Sequence, residues 1–151
     1  MLSAPLLQRL WDMSDNVLYP EAVTFIRRLI NEKGCSPLPT SQVMGLLNIA
    51  NAANYSELVH FIRHQRERNW PDSKKDIKTF YTELDLWFVT LRNRLVRNEF
   101  RLLSKGLSPV AANREVDEIM TTLAHEFIQH LVAENGVLSS QKADEQRSRR
   151  R

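Results

Sequence analysis

Cysteine is nearly absent from this chain: among 151 residues only Cys35 carries a thiol. A single cysteine excludes an internal disulfide framework and a cysteine-rich zinc site, and it points to a reducing, cytoplasmic setting. Glycine is sparse too, at four residues, no two of them within ten positions of each other. That spacing excludes the glycine-rich loops that cradle nucleotide phosphates. Arg or Glu interrupts every long apolar pattern, so no run reaches the roughly 18 to 20 residues that would cross a bilayer. The first eleven residues lack the basic start, apolar stretch and small-residue cleavage site of a secretory leader, and Met13 offers a second beginning.

What is present is helical. Apolar residues recur at steps of three and four, and no alternating strand pattern lasts long enough to compete. The spacing predicts helices over residues 20–33, 40–53, 54–69, 73–104 and 109–135, with a short sixth over residues 5–11. Gly34, Gly106 and Gly136 fall where helices should stop, and Pro20 and Pro109 where a first turn tolerates a missing N–H. Asn54 and Ser108 are natural N-caps. Gly45, inside the second helix, costs about 1 kcal/mol against Ala and predicts a close backbone approach. The stripe Ile77, Phe80, Leu84, Trp87, Leu91 and Leu95 makes the fourth helix the expected spine. The fold class is therefore all-α, a compact bundle of about five helices over residues 1–136. The remaining residues 137–151, rich in Ser, Gln and Arg, read as a disordered basic tail.

Charge is segregated. Residues 60–105 hold eleven Lys or Arg against six Asp or Glu, whereas residues 106–136 set Arg114 against five acids. The net charge of +3 is that of the tail alone, so the body is neutral but polarised.

Catalytic and metal signatures are missing. His125 and His130 are five apart, which turns the second imidazole about 140° from the first on a helix, and one metal cannot take both. His60 and His64 share a face but lack a third ligand. Glu57 is followed three residues later by His60, but a di-metal bundle site requires two such elements and no other Glu stands three residues before a His. The expectation is a protein that is not an enzyme and carries neither cofactor nor metal.

The basic segment remains. Arg63, Arg66 and Arg68 end the third predicted helix, Lys74, Lys75 and Lys78 begin the fourth, and Arg94, Arg97 and Arg101 lie on one side of its far end. A guanidinium stripe at helical spacing suits a phosphate backbone, because the fixed fork of donors fits phosphate oxygens. The competing reading pairs these arginines with Glu115, Asp117 and Glu118. Phe80, Tyr81, Trp70 and Trp87 could stack on bases, but Phe80 and Trp87 fall on the core stripe, which favours backbone contact over base readout.

The stretch Leu38, Pro39, Thr40, Ser41, Gln42, Val43, with Leu46 and Leu47 one turn on, resembles the Leu-Thr-x-Ser/Thr-Gln-Ile signature that opens a helix in the small subunits of type III CRISPR effector complexes. The order of an apolar helix before it and a long arginine-bearing helix after it is also similar. The resemblance implies a non-catalytic helical bundle that stacks in copies along a ribonucleoprotein, beside other subunits, and touches guide and target RNA through basic side chains. Gln42 and the adjoining helix start transfer directly. The family's following arginine does not, since Met44 stands there. Arg63, Arg66, Arg68, Arg94, Arg97 and Arg101 join Gln42 as candidate RNA contacts on periodicity and charge.

Two other readings stand beside it. Residues 41–52 and 56–69, broken at 53–55, could form a helix-turn-helix whose Ser56, His60, Arg63 and His64 face duplex DNA. Alternatively the acidic fifth helix and the tail serve a protein-interaction adaptor without nucleic acid.

Overall fold

A computed structural model describes residues 2–150. Every regular element among them is helical: α1 (Ala4–Met13), a π-helical segment (Ser14–Leu18), α2 (Tyr19–Asn31), α3 (Thr40–Ala52), α4 (Tyr55–Glu67), a 3-10 turn (Asp72–Lys74), α5 (Lys75–Val96) and α6 (Pro109–Arg149). This is the all-α bundle the periodicity predicts. No helix is long and apolar enough to cross a membrane among the described residues.

The expected short sixth helix is α1, and it runs into α2 without a break. Pro20 has no N–H to give to the preceding turn, and the chain absorbs that defect by widening residues 14–18 into a π segment rather than by stopping. Ser3 caps α1, Asn54 caps α4 through the Glu57 N–H, and Ser108 caps α6 through the Ala111 N–H.

Two predicted helix ends are corrected. α5 ends at Val96, eight residues early, because Asn98 takes a left-handed conformation at φ 59°. The Asn98 N–H then bonds to the Leu95 carbonyl and the Glu99 N–H to that of Arg94, closing a Schellman cap in which Asn replaces the usual glycine. Gly106 lies well beyond that end, whereas Gly34, at φ 68°, does terminate α2 as expected. α6 passes straight through Gly136, and residues 137–149 are helical where their composition predicts disorder. The continuation is anchored: Leu138 packs on the core and the Lys142 ammonium donates to Ser36 Oγ at 3.2 Å. Gly45 shows no close approach, since a Cβ there would meet nothing within 4 Å.

The spine is α6 rather than α5. It packs on α2, α3, α4, α5 and the π segment, and Ile119, Met120, Leu123, Ala124, Phe127 and Ile128 are fully buried. α4 packs chiefly on α5, and α3 on α6. Trp87 stacks flat on Phe127 at 3.4 Å, while Phe80, Tyr81, Phe88 and Trp70 are buried. These aromatics are thus core, and their rings are not free for bases, whereas Trp11 and Tyr19 are exposed.

Candidate nucleic-acid interface

The linker carrying Leu38 and Pro39 is extended, and Pro39 in β conformation precedes the first turn of α3 at Thr40. Its backbone is held by a side chain: the Leu38 N–H donates to Asn135 Oδ1 at 2.8 Å and Asn135 Nδ2 returns a bond to the Leu38 carbonyl at 3.2 Å. The Ser36 N–H donates to Asp76 Oδ2 at 2.9 Å, tying the linker to the start of α5. These restraints shape a groove of about 300 Å³ whose walls include Ser41 and Gln42 from α3 and Ser73 and Lys74 from the turn before α5.

Gln42 is fixed by Tyr81, whose hydroxyl donates to Gln42 Oε1 at 3.3 Å. Burial pushes the Tyr81 hydroxyl up to about 12, an effect opposed by the positive charge of Arg68. Arg68 lies across the Trp70 ring, 4.6 Å from its centroid, and donates to Gln65 Oε1. So Gln42, Arg68 and Lys74 gather around one end of the bundle, with Lys75 and Lys78 on the first turn of α5. Among the described residues no carboxylate pairs with Arg68, Lys74, Lys75 or Lys78.

The other predicted contacts lie elsewhere. Arg63 Nε and Arg66 Nη1 clamp the buried Asp85 carboxylate at 3.2 and 2.5 Å. Sequence reasoning missed Asp85, although a carboxylate on the apolar side of α5 between Leu84 and Phe88 signals a buried counter-charge. The expected stripe of Arg94, Arg97 and Arg101 does not form, because the Schellman cap takes the last two off the helix. Arg94 bridges Glu21 and Glu99 at 3.0 and 3.3 Å, and Arg97 pairs with Glu99 at 3.1 Å. Arg101 is exposed in left-handed backbone, and its carbonyl accepts from Arg9. The arginines therefore do pair internally, but with Asp85, Glu21 and Glu99 rather than with the acids of α6.

The histidines and the cysteine are structural neighbours of other groups. His130 Nε2 lies 2.9 Å from Ser14 Oγ, which donates to Glu126 at 3.0 Å, and His125 contacts Asn51 and Gln129. Burial, then Asp76, raises the Cys35 thiol away from its reactive thiolate.

No protein-family model matches the chain, and no curated protein or solved structure is significantly similar to it.

Proposed function

We propose that this protein is a non-catalytic, RNA-binding scaffold, the small subunit of a type III CRISPR ribonucleoprotein, acting in the cytoplasm and stacking in copies along guide and target RNA. One observation carries the reading: the segment that resembles the family signature opens a helix into a groove with Lys74, beside cations that form no ion pair among the described residues, while Asp76, the carboxylate in the groove's lining, accepts from the Ser36 N–H. Such a face binds phosphates without reading bases, in keeping with Trp70, Phe80, Tyr81 and Trp87 being committed to the core. The contacts belong to Gln42, Arg68, Lys74, Lys75 and Lys78.

A helix-turn-helix regulator has in its favour that Ser56, His60, Arg63 and His64 are all exposed on α4. Against it, α3 docks on α6 and α4 on α5, so the two helices scarcely touch each other, and Arg63 is tethered to Asp85.

Binding of the full chain to single-stranded RNA, an RNA duplex and random duplex DNA across a salt series tests this. The triple variant Arg68→Gln, Lys74→Gln, Lys78→Gln lowers the slope of log affinity against log salt for single-stranded RNA by about 2 units. Changing Arg147, Arg149 and Arg150 to Gln in a second protein measures the contribution of the C-terminal cations separately. A slope indifferent to the first triple defeats the reading. Sequence-specific duplex binding would instead install the regulator, and loss of all nucleic-acid binding the adaptor.

A further inference from the structure

A second groove, of about 520 Å³, opens between the first half of α4 and the second half of α5, away from the Gln42–Lys74 face. Its lining brings Arg63 and His60 from α4, Arg92 and Asn93 from α5, and Asp117 from α6 beside Tyr55 at the α4 N-terminus. Val59 and Val89 supply apolar wall.

Two groups there have unspent hydrogen-bonding capacity. Tyr55 is 8% exposed, its ring set edge-on to Phe88, and its hydroxyl, which lines the groove, has no hydrogen-bond partner among the described residues. Arg92 has no carboxylate partner among the described residues either, and among the charges around the Tyr55 hydroxyl it acts most strongly. Arg63 spends Nε on Asp85, which leaves its two terminal nitrogens for the groove and holds the guanidinium in place. Beneath them, Asn54 and Thr121 occupy only two of the free N–H groups at the start of α4, those of Glu57 and Tyr55.

Two arginines, an imidazole, an unpartnered phenol and a helix N-terminus form a receptor for a compact anion. The volume suits one nucleotide, with valine walls for the sugar and base. Asp117 is the single carboxylate in the lining, and an acceptor there suits a ribose hydroxyl, as in dinucleotide-binding folds.

We propose that this groove binds the phosphate of one ribonucleotide, with Arg92, Arg63 and Tyr55 on the phosphate and Asp117 on the ribose. The site is separate from the RNA-tracking face and stands whether or not that face binds RNA.

Amide and arginine side-chain NMR of the full chain, titrated with uridine 5′-monophosphate, tests it. Saturable shifts are expected at Tyr55, Ser56, His60 and the Arg92 side chain. Arg92→Gln weakens binding about tenfold, as loss of a charge-assisted bond implies. Tyr55→Phe, which keeps the ring and its packing, weakens it about fivefold. Deoxyuridine 5′-monophosphate binds less tightly than the ribonucleotide, and inorganic phosphate shifts the Arg92 side chain alone of these signals or together with His60. Displacement by a ten-residue oligouridine assigns the groove to an RNA strand. A failure to displace assigns it to a free nucleotide, and both outcomes support the site. Absence of saturable shifts, shifts confined to Gln42 and Lys74, or affinity unchanged in both variants overturns it.

Discussion

The two ends of the basic segment carry the same residue types and have opposite fates. Where α4 gives way to α5, Arg68, Lys74, Lys75 and Lys78 form no ion pair among the described residues, and their charge reaches solvent. At the far end of α5, Arg94 and Arg97 are consumed by Glu21 and Glu99. Positive charge in a sequence becomes positive potential on a surface only where the fold supplies no counter-ion. The middle of the segment is a third situation, with Arg63 and Arg66 converging on the buried Asp85.

The sharpest way to break this comparison is at Asp85, because its removal turns two answered arginines into unanswered ones. Removing one partner of a buried ion pair costs about 3 to 5 kcal/mol when the other stays buried. Here the arginine side chains are 51% and 32% exposed and can rehydrate, so Asp85→Ala is expected at the lower end, about 3 kcal/mol. Urea unfolding checks it. A midpoint unchanged within error would show that the clamp carries no stability.

A second effect belongs to the open end. Tyr81 is fully buried, and its hydroxyl titrates at about 12 in the fold against 10 when the chain is unfolded. Between those values the folded state holds a proton that the unfolded state has released, so stability is whole below pH 10 and falls as pH rises toward 12. The loss amounts to roughly 2 kcal/mol across that window. Tyr81→Phe removes this group's share of the alkaline decline, read as a flatter stability profile above pH 10, and frees Gln42 from the hydroxyl that donates to it.

Much of the bundle was legible because its helices obey local rules. Asn54 and Ser108 cap as their chemistry suggests, Gly34 stops α2, and Phe80 lies in the core where its stripe puts it. The failures share a cause in longer-range contacts. Nothing local tells that Asn98 will accept left-handed backbone, an outcome aided by the Leu103 N–H bonding to its side chain and by burial of Leu102 just beyond. Likewise Gly136 permits a helix stop but cannot enforce one against Leu138 and Lys142 holding the next turns to the core and the linker. The site was legible to the same extent: Gln42 and Arg68 come together as residue types, whereas Arg94, Arg97 and Arg101 were assigned to a face that depended on α5 continuing. Asp85 and the Tyr55 hydroxyl needed tertiary structure, since what matters about each is the presence or lack of a partner from another element.

The smallest effect isolates the comparison most cleanly. Arg94 is only 28% exposed, bridges two glutamates and lies over the Phe100 ring at 4.8 Å. One oxygen of Glu21, Oε2, is buried without a hydrogen bond, so the Arg94 contact to Oε1 is what answers that carboxylate's charge. Arg94→Gln keeps a donor but removes the charge, and a partly exposed pair of this kind is worth about 1 kcal/mol. Lys74→Gln, at an exposed cation without a carboxylate, should leave stability within about 0.5 kcal/mol. RNA affinity should respond the other way round, with Lys74→Gln lowering the salt slope by about 0.7 for a single strand and Arg94→Gln leaving it unchanged. Stability and binding would then divide the basic segment along the same line that the ion pairs do. If Arg94→Gln lowered the RNA salt slope as much as Lys74→Gln, the pairing with Glu21 and Glu99 would not withhold that charge from RNA, and the distinction between the two ends would fall.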